Sequence, residues 1–265
     1  MCVQNERKMI TMSKVKMDAV IISQEKIAQD IYSMWFKAEA IASEAKPGQF
    51  VAVYSDNGAN LLPRPISICE IDKVNGSLRI VYRVVGKGTD EFSKKTAGDK
   101  LSVMGPLGNG FTLKDKKAIL IGGGIGVPPM LELAKSLECE KVVVAGYRSE
   151  LFLDEDFKKV APFYVATEDG STGTKGTVID AIKANDLKAD IIYACGPTPM
   201  LRALKEYAIA NDMEAQISME EKMACGIGAC LACVCKSKDK DEHTNVNNKR
   251  ICKDGPVFDA REVEL

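Results

Sequence analysis

Short apolar or alternating stretches, separated by turn-forming residues, follow one another from about residue 14 to residue 112. Pairs such as Pro47-Gly48 and Asn75-Gly76 mark the turns, and stretches of about four to eight residues between turns are typical of β-strands. Six strands at this spacing predict a small antiparallel barrel over residues 14–113. The N-terminal tail, residues 1–13, shows no clear period. The predicted strands are Lys14–Ser23, Ile31–Lys37, Phe50–Tyr54, Ile66–Ile71, Leu78–Val84 and Leu101–Met104.

Near residue 116 the pattern changes to apolar strands that alternate with helical segments. This alternation predicts βαβ units and an α/β domain with a parallel sheet over residues 114–216. We expect residues 217–265 to form a small C-terminal module with little regular structure, so the predicted fold class is multidomain α+β. The predicted strands are Lys117–Ile121, Lys141–Ala145, Phe163–Thr167 and Asp190–Ala194, and the predicted helices are Pro128–Glu138, Thr177–Ala184 and Pro199–Asn211.

Four cysteines of the C-terminal module carry the strongest chemical signal. Cys225, Cys230 and Cys233 have the spacing C-x4-C-x2-C, and Cys252 follows after 18 residues. This spacing is typical of a plant-type [2Fe-2S] cluster. Structural zinc and cysteines without a metal are the alternatives. Cys235 does not fit the spacing, and we interpret it as a bystander.

Composition and charge narrow the possible functions further. The net charge of −1 gives no electrostatic case for binding nucleic acid or an anionic membrane, and no apolar run reaches the roughly 18 residues of a membrane span. Nine cysteines without a recognisable secretory signal predict a cytoplasmic protein. The single histidine, His243, lies in a polar stretch, which argues against a Ser-His or Cys-His hydrolase. We therefore expect cofactors to carry the chemistry.

Two motifs of the α/β domain predict a nucleotide site. The glycines between the first strand and its helix can bring a phosphate close to backbone N–H groups and to the helix start. The tripeptide after the fourth strand stands at the carboxyl end of that strand, where open α/β sheets bind ligands. A tight turn without ligand is the alternative for each motif. The residues concerned are Gly122, Gly123, Gly124 and Gly126, and Cys195, Gly196 and Pro197.

Two motifs of the barrel predict a second nucleotide site. In the sequence Arg64-Pro65-Ile66-Ser67, Arg64 can bind a pyrophosphate through paired hydrogen bonds and Ser67 can offer a hydroxyl to a ring nitrogen. Gly88 and Thr89 begin a helix with Thr89 as its predicted N-cap, and this helix start can face a pyrophosphate. A surface turn and a capped helix without ligand are the alternatives.

The order of these motifs resembles the ferredoxin-NADP reductase superfamily. Within it, residues 14–265 are similar to the electron transfer subunits of class 1B dihydroorotate dehydrogenases. The similarity is carried by Met223–Cys233, Cys252–Phe258 and Gly105–Gly110. The flavin subunit of an NADH-dependent ferredoxin:NADP oxidoreductase has the same three-part plan and is the alternative within the superfamily. A redox sensor or a zinc-stabilised interaction module is the alternative without enzymatic activity.

The resemblance implies an NAD-linked flavin and iron–sulfur oxidoreductase subunit that acts in pyrimidine biosynthesis. Its partner would be a separate FMN-containing subunit that oxidises dihydroorotate, in a heterotetramer of two copies of each. Electrons would pass from FMN through the cluster and FAD to NAD. NAD would lie on the glycine run and on Cys195–Pro197, although Arg148 can favour the 2′-phosphate of NADP. The implied FAD contacts are Arg64, Pro65, Ile66, Ser67, Val81, Tyr82, Arg83, Gly88 and Thr89, and the implied cluster ligands are Cys225, Cys230, Cys233 and Cys252.

Overall fold

The computed structural model describes residues 14–240 and 245–265. The predicted tail and His243 lie outside these ranges. Within them, six antiparallel strands close into a barrel in the order β1-β2-β5-β4-β3-β6, as predicted. The helices α1 (Glu39–Ala42) and α2 (Lys87–Ser93) lie between strands. The strands are β1 (Val15–Ala28), β2 (Ile31–Lys37), β3 (Phe50–Val53), β4 (Arg64–Asp72), β5 (Ser77–Arg83) and β6 (Lys100–Leu107).

Alternation of side chains explains why β2 and β5 form walls of this barrel. Met34 and Phe36 of β2 lie opposite Ile80 and Leu78 of β5, and all four side chains are fully buried in the barrel core. Burying each such side chain stabilises the fold by about 1.5–3 kcal/mol. Arg79, between two of them in sequence, points out of the barrel towards the α/β domain.

A seven-stranded sheet in the order β10-β9-β8-β7-β11-β12-β15 forms the second domain of the described chain. Every strand pairs in parallel except β15, which runs antiparallel to β12. The parallel sheet was predicted. The strands are β7 (Ala118–Gly123), β8 (Lys141–Tyr147), β9 (Phe163–Thr167), β10 (Thr174–Lys175), β11 (Ile191–Cys195), β12 (Glu214–Ser218) and β15 (Val257–Asp259), and the helices are α3 (Pro129–Ser136), α4 (Asp154–Lys158), α5 (Val178–Ala184) and α6 (Thr198–Ala210).

The C-terminal module has more regular structure than the sequence predicted. β13 (Val234–Lys236) and β14 (Asn248–Arg250) form an antiparallel pair, and β15 returns to the edge of the large sheet. The predicted boundary between residues 216 and 217 falls inside β12. The module is therefore continuous with the sheet. No helix of the described residues is long and apolar enough to cross a membrane.

Candidate functional site

An open cleft of about 340 Å³ lies where the barrel, the sheet and the C-terminal module meet. Ile125 and Ser218 line it from the α/β domain, and Met223 and Pro256 line it from the C-terminal module. Every predicted flavin contact except Gly88 also lines this cleft. Those residues are Arg64, Pro65, Ile66, Ser67, Val81, Tyr82, Arg83 and Thr89.

The guanidinium of Arg64 lies against the start of α2, and Gly88 makes this approach possible. A Cβ atom added at Gly88 would stand 2.9 Å from Arg64 Nε and 3.0 Å from its Cζ. Arg64 donates a hydrogen bond to the Leu62 carbonyl and has no salt bridge within the described ranges. This arrangement leaves a half-buried cation beside a helix start, which suits a pyrophosphate.

Thr89 does not cap α2 as predicted, because Gly86 occupies the N-cap position. The Thr89 hydroxyl instead reaches back from the third helical residue, where it accepts hydrogen bonds from the amides of Val85 and Gly86 at 3.0 and 3.2 Å. Gly86 is extended, with φ at −172°. Thr89 therefore supports the turn before the helix, which is the second half of a capping box.

The side chain of Tyr82 is buried in the barrel core. Its hydroxyl donates to Gln24 Oε1 at 2.7 Å and its ring packs edge-on against Phe92. Burial raises the pKa of this phenol. The neighbouring Arg83 is exposed at the cleft. We infer that Tyr82 offers its backbone to the cleft, whereas Arg83 offers its side chain.

The structure brings the two predicted NAD motifs together. Gly122 of β7 pairs with Cys195 of β11, and a Cβ added at Gly126 would stand 2.4 Å from the Cys195 carbonyl oxygen. Gly124, with φ at +54°, has open space in front of it. Gly122 and Gly123 belong to β7, and the rest of the glycine run, Gly124–Gly126, forms one turn of 3-10 helix. The early glycines serve packing, and Gly124 is the position that a ligand can approach.

Cys195 is fully buried. Burial, together with the nearby charge of Glu220, raises the pKa of its thiol, whereas a hydrogen bond with Ser218 lowers it. Ser218 in turn lines the cleft. Cys195 therefore lies behind the cleft wall as a neutral thiol.

The four predicted cluster ligands lie as two pairs of neighbouring residues. The sulfurs of Cys225 and Cys230 are 3.3 Å apart, and the amide of Cys252 donates to Cys233 Sγ at 3.4 Å. No three His, Cys, Asp or Glu side chains of the described chain form a group that could hold one metal ion. Two thiolates on one tetrahedral ion with bonds of about 2.3 Å stand about 3.7 Å apart. Two pairs of thiols fit a cluster of two irons, each bound by two cysteines.

Backbone amides point at these sulfurs. The Gly228 amide donates to Cys252 Sγ at 3.1 Å, with Gly228 held at a φ of +83°. At Cys225, burial opposes ionisation. Hydrogen bonds from the amides of Cys230, Ile227 and Ala229 and from the Cys230 thiol outweigh it and lower the pKa to about 6. Burial and the Cys233 thiol raise the pKa of Cys252 to about 12. The loop is thus organised around sulfur atoms that a metal can convert to thiolates.

Comparison with known proteins places this geometry in a family. Residues 220–264 match the iron–sulfur cluster binding domain of dihydroorotate dehydrogenase B. The chain is 44% identical over 262 residues to a dihydroorotate dehydrogenase B (NAD(+)) electron transfer subunit of Fusobacterium nucleatum subsp. nucleatum, with 94% of this chain and 98% of the relative covered. The chain belongs to this family of electron transfer subunits. The counterpart from Geobacillus kaustophilus is 44% identical over 255 residues, with 92% and 97% covered.

Solved structures with the same architecture agree with the family assignment. The structure of an NADH-dependent reduced ferredoxin-NADP oxidoreductase aligns with a TM-score of 0.84 and 31% identity over 93% of this chain and 89% of its own. Amycolatopsis cytochrome P450 reductase GcoB aligns with a TM-score of 0.63 and 20% identity over 76% of this chain and 67% of its own, which shows the fold alone. The predicted cofactors FAD, [2Fe-2S] and NAD fit this family and this fold.

Cys235 stands apart from the two thiol pairs of this electron transfer subunit. It lies on β13, where its thiol donates to the Lys249 carbonyl of β14 at 3.4 Å. Burial raises the pKa of this thiol. The hydrogen bond across the strand pair supports the interpretation of Cys235 as a bystander.

Arg148 follows β8 and is 90% exposed. Its Nε lies 3.8 Å from the carboxylate of Glu168, which follows β9. This carboxylate partly offsets the positive charge of Arg148. The prediction that Arg148 can favour NADP was based on this arginine alone, without its acidic neighbour Glu168.

Several residues of the cleft wall were missed because their contribution depends on long-range packing. Met219 and Glu220 follow β12, and Pro256 precedes β15. Nothing in the local pattern places these segments beside Arg64. The Pro-containing sequence after Cys252, which carried part of the family resemblance, was the one signal available.

Proposed function

We propose that this chain is the electron transfer subunit of an NAD-linked dihydroorotate dehydrogenase in pyrimidine biosynthesis. One observation carries the proposal: the module that holds the four thiols also forms a wall of the flavin cleft. Met223 lines that cleft and stands two residues before Cys225, a distance that an extended chain spans in about 7 Å. The cluster site and the flavin site are therefore close neighbours.

When bound, FAD exchanges a hydride with NAD and single electrons with the [2Fe-2S] cluster. The residues of this chain bind and orient those groups. Arg64 would hold the FAD pyrophosphate and the Ser67 hydroxyl would meet the flavin ring. The backbone around Gly124, at the carboxyl ends of β7 and β11, would receive the NAD phosphates. The four cysteines would supply the thiolates.

The cluster loop carries apolar side chains suited to docking a partner. Leu231 is 75% exposed and Ile227 is 40% exposed, and each lies within three residues of a predicted ligand. Exposed apolar groups on such a loop are typical of protein interfaces. We propose that the FMN-containing catalytic subunit docks here, in a complex with two copies of each subunit.

Co-expression with the FMN-containing subunit tests the proposal. The complex should reduce NAD with dihydroorotate, whereas this chain alone should oxidise NADH with an artificial dye and leave dihydroorotate unchanged. Native mass measurement of the complex tests the stoichiometry. A purified chain without flavin or iron, or a complex inactive with dihydroorotate, would contradict the proposal.

A second candidate is the flavin subunit of an NADH-dependent ferredoxin:NADP oxidoreductase, because the structure of that name aligns over 93% of this chain. The relatives at 44% identity favour the dihydroorotate system. Pairing the purified chain with the catalytic subunit of each system distinguishes the two candidates.

A cytoplasmic location is supported by the free thiols of the described cysteines.

A further inference from the structure

A buried arginine that does not line the cleft connects the barrel to the α/β domain. Arg79 of β5 is 8% exposed. Its Nε donates to Ser33 Oγ at 2.9 Å, and its Nη1 donates to Glu70 at 2.6 Å and to Asp156 at 2.9 Å. Ser33 and Glu70 belong to the barrel, whereas Asp156 belongs to α4. One buried cation therefore bridges the two domains.

Two further polar contacts cross the same boundary. Glu70 accepts a salt bridge from Lys135 of α3 at 2.7 Å. The amide of Ile71, the next residue of β4, donates to Glu132 of α3 at 2.8 Å. The end of β4 is thus tied to α3 by a side-chain contact and by a backbone contact.

These contacts join the elements that carry the two nucleotide sites. β4 begins at Arg64 and also carries Ser67. Glu70 lies three residues after Ser67, which is about 10 Å along the strand. α3 begins just after the glycine run, and Glu132 lies about 9 Å along the chain from Gly126 if helical rise is assumed throughout. A shift at the contacts would therefore move the flavin site relative to the NAD site.

The chemistry of the contacts suits orientation better than stability. Buried ion pairs often stabilise a fold no more than apolar residues of similar volume, because desolvation offsets the attraction. Their directional bonds nevertheless fix geometry. Around them, Cys69 and Val81 belong to the same apolar cluster as Leu131 and Phe157 of the α/β domain. The apolar contacts hold the domains together, and the polar contacts set their angle.

We propose that Arg79, with Glu70 and Asp156, is a positioning residue that sets the distance between the flavin and the nicotinamide. The inference rests on the proposed function, because it requires FAD and NAD at the two sites. Hydride transfer needs close approach of the two rings, and a misplacement of about 1 Å can slow such a step by about 100-fold.

The test uses the full chain with its flavin and cluster. Flavin reduction by saturating NADH is followed by stopped flow without oxygen, and the long-wavelength charge-transfer absorbance of reduced flavin with NAD is recorded. Asp156→Asn should slow the limiting rate about tenfold and Arg79→Met about 100-fold, both with weakened charge-transfer absorbance. Flavin content should stay unchanged. The matched control is Glu155→Gln, because within residues 14–240 and 245–265 Glu155 pairs only with Lys158 of its own helix.

Lys135→Met keeps the test decisive if Arg79→Met does not fold, since it removes a contact from the more exposed side. Normal rates and normal absorbance in both Asp156→Asn and Lys135→Met would overturn the inference, even with a lowered melting temperature. A wild-type protein whose flavin NADH does not reduce would overturn the proposed function, and the inference with it.

Discussion

Removal of the Arg64 side chain should deplete the protein of FAD and leave its iron–sulfur cluster intact. The guanidinium lies beside the start of α2 without a carboxylate partner among the described residues, so its charge is available to a phosphate. A charge-assisted hydrogen bond contributes about 1.5–3 kcal/mol. Because Arg64 is only half-buried, we expect the lower part of this range, about 1.5–2 kcal/mol or about 10- to 30-fold in the dissociation constant of FAD.

Gly88→Ala offers a second perturbation of the same contact. Its Cβ would stand 2.9 Å from Arg64 Nε, so the guanidinium has to move aside. Since this side chain is flexible, the loss of FAD affinity should be smaller than in Arg64→Ala. The double variant should bind FAD no worse than Arg64→Ala alone, because the added methyl group acts through the guanidinium.

The assay is titration of the flavin-free protein with FAD, followed by quenching of flavin fluorescence, together with iron analysis of each purified variant. Arg261→Ala is the control, because Arg261 is an exposed arginine of the C-terminal module that does not line the cleft. An unchanged dissociation constant in Arg64→Ala, with full flavin occupancy, would refute the role of Arg64. Loss of iron in that variant would indicate a general folding defect instead.

Three further predictions concern the cluster, the partner and the nucleotide. Serine in place of any one predicted cluster ligand should impair cluster assembly, whereas Cys235→Ser should not; iron content and visible absorbance check this. Ile227→Asp and Leu231→Asp should lower co-purification of the FMN-containing subunit and spare NADH-to-dye activity, and full recovery with both would exclude the loop from the interface. Glu168→Gln should raise the ratio of kcat/KM for NADPH to kcat/KM for NADH several-fold, because it frees Arg148. Steady-state kinetics with both nucleotides measure this ratio, and an unchanged ratio would contradict the prediction.

Local signals predicted most of the barrel and of the parallel sheet. Ile31–Lys37 and Phe163–Thr167 have the predicted bounds, because turn residues or polar residues close both ends of these apolar runs. The predicted helix Pro128–Glu138 corresponds to α3, Pro129–Ser136, and its start was predicted to within one residue because proline suits the first turn of a helix. The four cysteines were recognisable by spacing alone, and the structure brings them into two pairs.

Long-range packing decided what local signals could not. β15 has three residues and no clear period, and it exists because its residues pair with β12 about 40 positions earlier. Gly122 reads as a loop residue, yet it lies in β7, because it pairs with Cys195 of β11 and with Ala145 of β8. Arg79 reads as an exposed strand residue. In the structure it is buried and bonded to Asp156. Asp156 belongs to α4, a short helix that was not predicted.

The attachment of the C-terminal module suggests why partner docking and internal electron transfer can be separated. The amide of Asn109, just after β6 of the barrel, donates to the Gly255 carbonyl at 2.6 Å, and the amide of Met219, just after β12 of the sheet, donates to the Pro256 carbonyl at 2.9 Å. These backbone bonds hold the segment after Cys252 against both domains. They do not depend on the exposed side chains of the cluster loop. A charged residue at Leu231 can therefore weaken docking without changing the path between cluster and flavin, so the loss of dihydroorotate activity in such a variant would report on the interface alone.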